Sequence, residues 1–313
     1  MKLEEALKEI KKKFGDDSIG TVPEMKVEIE KITSGSPYIN YALNGGFPLG
    51  KLIELYGPYS SGKSLIAYRT IAEAQKRGKS CILFDVENSF DPNFAQKLGI
   101  DVNKLIICKD SLGETMFDKL VVLLQSDPEV IVVDSIAALV PQSELEDSME
   151  QQTMGLHARL MSKALRKVNA VNKKTALIFI NQLREKIGSY GNPETVTGGR
   201  ALGFYASIRL EIRRGEFILA NKEKIGQEIK FKVTKSKIGY PFKSGILKFD
   251  YGTCSFDSAD ELISVGIITD KIKRRGAYYD IFGETFQGKD QLVEKLIKEK
   301  DFSDKIYKEI MSK

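Results

Sequence analysis

The chain has 313 residues, with 48 Lys and Arg against 43 Asp and Glu, a net charge of +5, and 42% apolar and 29% charged residues. That composition has room for a large core and about two domains, and it excludes a disordered chain. No apolar run approaches the ~18 residues of a membrane span, MKLEEALKEIKKKFG is too charged for a signal peptide, and three scattered cysteines, Cys81, Cys108 and Cys254, form no disulfide framework or metal spacing and read as reduced cytoplasmic thiols.

Leu3, Leu7, Ile10 and Phe14 recur at helical spacing, so the spacing predicts an amphipathic helix ending at Gly15. So short a helix is marginal alone, and its stripe must dock on its own core or on a neighbouring subunit. Turn residues and a short strand candidate, Lys26–Ile32, complete an arm over 1–33. From 34 to 251 short apolar runs alternate with helical stretches. The runs are Leu52–Tyr56, Cys81–Asp85, Val130–Asp134 and Ala176–Ile180; the helices include Leu65–Arg77 and Leu156–Asn169. This alternation predicts an α/β fold with a mostly parallel sheet covered on both faces. Ser207–Arg213, Glu228–Thr234 and Gly245–Asp250 alternate and read as antiparallel strands. A small C-terminal module follows over 252–313.

The strongest motif is Gly57-Pro58-Tyr59-Ser60-Ser61-Gly62-Lys63-Ser64, the phosphate-loop pattern between a strand and a helix. Its glycines let backbone N–H groups curl around phosphate oxygens at a helix N-terminus. Lys63 is suited to the β- and γ-phosphates and Ser64 to Mg²⁺. The same run contains a Ser-x-x-Lys nucleophile pattern, but no partner motif follows it. Asp134 ends an apolar strand at the edge where such sheets bind ligands, and it suits the Mg²⁺ shell. Asp85-Val-Glu87 ends another strand. A carboxylate there can polarise an attacking water, or can simply be a loop acid.

These residues bring the chain within a recognisable family. It resembles the RecA recombinases of bacteria and their phages over nearly all its length. The stretches that carry the likeness are GPYSSGKS (57–64), CILFDVENSFDP (81–92), VIVVDSIAAL (130–139), MGLHARLMSKALRKV (154–168), IFINQLREKIG (178–188), GNPETVTGGRALGFYASIRLEIRR (191–214) and KVTKSKIGYPF (232–242). The resemblance implies a RecA-like P-loop NTPase core, an N-terminal helix and strand arm, and a small α+β C-terminal domain. It implies ATP and Mg²⁺ as ligands, single-stranded and double-stranded DNA as partners, and a helical filament of identical subunits. A LexA-like repressor is a further implied partner. The implied function is a DNA-dependent ATPase that exchanges strands in recombinational repair. A hexameric helicase built on the same core and a filament serving mainly as a scaffold for repressor cleavage are the alternatives.

Roles follow by position. Glu87 matches the family's general base, and Gln182 its sensor of the γ-phosphate. Asp91 and Phe94 fall where the family contacts adenine, although Phe94 also reads as a core residue. Lys235 and Lys237 match the pair that a neighbouring protomer extends onto its partner's ATP; by themselves they read as a solvated strand end. The DNA surface is implied at Gln142–Thr153 and Gly188–Gly203, with Met154, Gly155, Arg159, Arg166, Arg184, Lys186, Ile187, Gly198, Gly199 and Arg200. Met154 and Ile187 would wedge between bases, and the glycine-rich second loop would order on a ligand. The first loop carries Glu144, Glu146, Asp147 and Glu150 but no cation, so nearby arginines and helix N-termini must meet the phosphates. Lys271-Ile272-Lys273-Arg274-Arg275 can gather duplex DNA or form a solvated basic turn. His157, the only histidine, reads as an ordinary helix residue. Four features depart from the family: a second loop one residue shorter, Asn88 for a frequent His, Gly203 for a usual Lys at the subunit interface, and the absence of a strongly acidic tail.

Overall fold

The computed structural model describes residues 2–23, 29–146, 155–185 and 194–312. Met154, Lys186 and Ile187, most of the first DNA-loop candidate and the start of the second lie outside them. Residues 1–30 form one compact unit and residues 31–313 another.

In the first unit the expected helix spans Leu3–Phe14. Glu4 and Glu5 lie in its first turn and Lys11, Lys12 and Lys13 in its last, a distribution that complements the helix dipole. Glu5 accepts the Lys2 backbone N–H at 3.0 Å. None of the helix's residues is buried. Of the strand candidate in the arm, residues 29–32 are described and only Lys31–Ile32 forms a strand, which belongs to the second unit and pairs antiparallel with Phe47–Pro48.

The second unit is built on a central sheet. Lys51–Gly57 runs parallel to Ala176–Glu185 on one side and to Ile208–Ala220 on the other. Beyond Ala176–Glu185 come the parallel strands Val130–Asp134, Cys81–Asp85 and Ile106–Cys108. Beyond Ile208–Ala220 come the antiparallel strands Glu223–Ser236, Ser244–Asp250 and Ser255–Phe256. The Ser207–Arg213 candidate is therefore antiparallel on one edge only. It also extends past Arg213, because Arg214 and Phe217 stay paired with Ile229 and Gln227.

Alternation along the strands feeds two apolar layers. Ile53, Leu55, Leu83, Val132 and Ile178 meet Ile66, Ala67 and Ile71 of the Lys63–Lys76 helix. Leu52, Ile82, Phe84, Ile131, Val133 and Phe179 meet Met116, Phe117 and Leu120 of the Gly113–Leu124 helix, and Met161, Leu165 and Val168 of the Leu156–Val171 helix. The period of two in each strand explains both layers. Burial on both faces explains why these strands read as unbroken apolar runs.

The C-terminal segment has its own core of Leu262, Val265, Ile272, Ile281, Leu292 and Ile306. It contains helices Ser258–Ile268, Lys289–Lys298 and Lys300–Met311 and an antiparallel sheet of Lys273–Arg275, Tyr278–Ile281 and Glu284–Gln287. Glu261, fully buried, fastens it to the rest of the unit. It accepts the Ser36 hydroxyl, the Tyr38 N–H at 3.2 Å and the Arg69 guanidinium at 2.6 Å.

Candidate functional site

The phosphate loop leaves the Lys51–Gly57 strand and enters the Lys63–Lys76 helix at Gly62. Gly62 has φ +95°, and a Cβ there would sit 2.5 Å from Ile229 Cδ1. Only glycine meets both conditions. Lys63 folds back into the loop. Its ammonium donates to Gly57 O at 3.2 Å, Pro58 O at 2.5 Å and Ser61 Oγ at 3.4 Å. Burial lowers its pKa, while Asp134 and then Glu87 pull the other way. The loop thus holds an ammonium against its own carbonyls. Ser60 and Ser61 line the cleft beside it, and Tyr59 is exposed.

Asp134 is buried at the end of the Val130–Asp134 strand. Burial lifts its carboxyl to about 6; the Ser64 hydroxyl bonded to it opposes that shift, Glu87 adds to it and Lys63 opposes it. Ser64 and Asp134 are hard oxygen donors. Among the described residues no cluster of three or more His, Cys, Asp or Glu could hold a metal alone. Two protein oxygens beside a phosphate loop are the donor set that Mg²⁺ takes when substrate phosphates and water complete its shell.

Glu87 lies just past the adjacent strand. Its Oε1 accepts the Ser135 hydroxyl at 2.5 Å and the Gln182 side-chain amide at 2.9 Å. Asp85 accepts the Ser89 and Phe90 N–H groups at 2.9 and 3.2 Å and so shapes the loop that presents Glu87. The parallel register places Gln182 opposite Gly57, at the start of the phosphate loop. Glu87, Ser135 and Gln182 therefore converge on one side of the Lys63–Ser64–Asp134 group.

An open cleft of about 630 Å³ adjoins the loop. Phe94 lines it and also packs on the core. Asp91 caps the following helix, accepting the Asn93 and Phe94 N–H groups at 2.8 and 3.4 Å. Gln227, Phe249, Tyr251 and Cys254 complete the cleft, and Tyr251 donates to Gln227 at 3.1 Å. Sequence reasoning missed these four, because the strands of Gln227 and Phe249 and the turn holding Tyr251 and Cys254 carry no nucleotide motif. It also missed a cationic groove in which the strand register sets Lys230 and Lys232 beside Arg213 and Glu211.

Lys235 is not a solvated strand end. Its ammonium donates to Gly203 O at 2.8 Å and Phe204 O at 2.9 Å. Burial lowers its pKa, and Lys237 and Arg209 add to that while Glu54 opposes it. Lys237 is exposed.

The DNA candidates divide. Gly155 caps the Leu156–Val171 helix with φ +89°, and Arg159 and Arg166 are exposed along it. Arg159 lines a groove that also holds Glu114 and Asp118, a mixed-charge surface. Arg184 and Arg200 are exposed. The described part of the first loop includes a helix, Gln142–Glu146. The described part of the second contains regular elements: Glu194–Val196 pairs with Leu183–Glu185, and Ala201–Tyr205 is helical. Pairing with an existing strand edge satisfies backbone groups of Glu194–Val196. Gly198 has φ +79° and lies against His157, whose Nε2 bonds Ile136 O at 3.0 Å. His157 thus does more than occupy a helix: it joins the end of the Asp134 strand to the second loop. Lys273, Arg274 and Arg275 are exposed on a strand, not a turn; Arg275 pairs with Asp280 at 2.6 Å and Lys271 with Glu309 at 3.3 Å.

Fold and site together define a class: phosphate-loop nucleotide hydrolases on a mostly parallel sheet. Residues 1–255 match the family described as the RecA N-terminal domain. The chain is 45% identical over 299 residues to Protein RecA of Mycoplasma mycoides subsp. mycoides, covering 93% of this chain and 86% of that one. It is 43% identical over 308 residues to Protein RecA of Mesoplasma florum, covering 96% and 92%. It is 42% identical over 318 residues to Protein RecA of Mycoplasmopsis pulmonis, covering 99% and 94%. The chain belongs to the RecA family. It is accordingly a DNA-dependent ATPase with strand-exchange activity in recombination and repair, and the hexameric-motor and scaffold alternatives are not favoured. DNA binding and filament formation belong to the same family, and no described helix is long and apolar enough to cross a membrane.

Proposed function

We propose that ATP is hydrolysed at a seam between two copies of this chain, so that filament growth on single-stranded DNA and nucleotide turnover are one coupled event. The phosphate loop, Gly57 to Ser64, cradles the triphosphate, with Lys63 turning from loop carbonyls to the β- and γ-phosphates. Ser64 and Asp134 would hold Mg²⁺, which neutralises charge on the phosphate oxygens. Glu87 takes the proton of the attacking water, and Gln182 and Ser135 orient its carboxylate. Asp91 and Phe94 take the adenine side of the cleft. Lys235 and Lys237 of the neighbouring copy place positive charge where the transition state gathers negative charge.

Gly155, Arg159, Arg166, Arg184, Gly198, Gly199 and Arg200 face DNA in this reading, together with Met154, Lys186 and Ile187. The arm over 1–33 serves polymerisation, 34–251 is the ATPase core, and 252–313 gathers duplex DNA with its exposed cations. A LexA-like repressor is a partner of the filament, and the cytoplasm is its compartment. The observation that carries this reading is the hydrogen bond between Glu87 and Gln182 beside the phosphate loop. It joins a general base to a group that reports the γ-phosphate. The test is ATP hydrolysis with and without single-stranded DNA, with electron microscopy of the same sample. DNA-stimulated turnover together with helical filaments is expected. Full turnover by an isolated monomer without DNA overturns the reading.

A further inference from the structure

A polar cluster lies under the phosphate loop, inside an otherwise apolar sheet. At its centre is Glu54, on the Lys51–Gly57 strand, with its side chain fully buried. One carboxylate oxygen accepts the Asn181 amide at 2.9 Å and the other accepts Arg209 Nε at 2.5 Å. Removing Arg209 would leave a buried charge uncompensated, and removing the Asn181 amide would leave a buried carboxylate oxygen without that donor.

Each partner reaches a different part of the site. Asn181 Oδ1 accepts the Gln182 backbone N–H at 2.9 Å, and its amide also donates to Thr197 O at 3.2 Å. Thr197 N returns a bond to Gln182 O at 3.2 Å. One end of the second DNA loop and the Gln182 backbone are therefore held by one side chain. On the other side, Arg209 stacks over Tyr56 at 4.4 Å. It lies so close to Gly203 that a Cβ there would fall 3.1 Å from its guanidinium carbon. The Gly203 and Phe204 carbonyls hold Lys235. Tyr56 also donates to Thr234, next to Lys235, at 3.0 Å. Two cations, Arg209 and Lys235, thus share one short helix, and Glu54 is the buried charge that balances them.

We propose that Glu54, through Asn181 and Arg209, is a positioning residue that sets Lys235 for the neighbouring subunit's site and ties that setting to Gln182 and the second DNA loop. The inference rests on the roles of Lys235 and Gln182 proposed above. If Gln182 shifts, its two backbone bonds move Asn181 and Thr197 with it, and Asn181 carries the shift to Glu54. If Glu54 loses its charge, Arg209 repels Lys235 without compensation.

The experiment is steady-state ATP hydrolysis by the full chain, with and without a single-stranded oligonucleotide, for Glu54→Gln, Asn181→Leu and both together. DNA-stimulated kcat should fall about tenfold in each, with KM for ATP within about twofold, and the double variant should be no worse than the poorer single one. Near-normal stimulated kcat in folded single variants, or effects that multiply in the double, overturns the proposal. Thermal melts report folding. If Glu54→Gln does not fold, Arg209→Lys takes its place, since it keeps the buried charge and loses the Nε donor and the stack.

Mixed filaments separate this inference from the reading beneath it. Glu87→Gln subunits offer an intact Lys235 but cannot hydrolyse in their own cleft. They should restore turnover to Lys235→Ala subunits and equally to Glu54→Gln subunits. No rescue of Lys235→Ala undoes the trans reading. Rescue of Lys235→Ala without rescue of Glu54→Gln undoes the positioning role alone.

Discussion

The side-chain amide of Gln182 donates to the carboxylate of Glu87 at 2.9 Å, although the two residues are 95 positions apart. That bond keeps one Glu87 oxygen occupied and the carboxylate aimed beside the phosphate loop. With the roles proposed for these two residues, a γ-phosphate that attracts the Gln182 amide would compete with Glu87 for it and so link occupancy of the cleft to the freedom of the carboxylate.

Glu87→Gln should keep nucleotide binding and filament assembly and lose about 100-fold or more in turnover, since general-base removal costs at least that much. Single-turnover hydrolysis alongside nucleotide affinity checks it. Wild-type turnover would assign the base elsewhere.

Lys63→Ala should weaken nucleotide binding about 100-fold, the scale of losing one partner of a hydrogen-bonded charge pair. It also leaves Gly57 O and Pro58 O without their present donor, so the loop should change conformation even without nucleotide. Calorimetric titration and hydrogen exchange over residues 57–64 read both effects. Unchanged ATP-dependent assembly would remove Lys63 from the phosphate role.

Burial holds the Asp134 carboxyl at about 6, above its ordinary 3.8. A raised value means that its contribution to the stability of the nucleotide-free protein is fully present below pH 3.8 and lost as pH rises through about 6. Mg²⁺ needs the ionised form, so Mg²⁺–nucleotide affinity should drop as pH falls through the same point. Titrations from pH 5 to 8 test this, and Asp134→Asn should flatten the profile. A flat wild-type profile would place the metal on other oxygens.

Gly57→Ala should destabilise the fold by about 2–4 kcal/mol, because the added Cβ would overlap the Ile212 carbonyl oxygen, a backbone atom that has nowhere to move. Denaturant unfolding measures the loss. A cost under about 0.5 kcal/mol would show that the two strands can separate locally.

The family, the parallel sheet, the phosphate loop and the Asp134 strand were all legible in the residues. Each of these is written locally: four apolar residues before an acid make a buried strand, and glycines at fixed spacing make a loop that backbone N–H groups can line. The helix Leu156–Val171 and the strand Val130–Asp134 match their patterns to within two residues for the same reason. Tertiary structure alone decided that Gln182 meets Glu87, that Lys235 is held by the Gly203 and Phe204 carbonyls, that Tyr251 and Gln227 line the cleft, and that Glu54 joins Asn181 to Arg209. Those meetings depend on the register between strands far apart in the chain. Packing of two apolar layers sets that register, and no periodicity within one segment encodes which distant strand will lie alongside it.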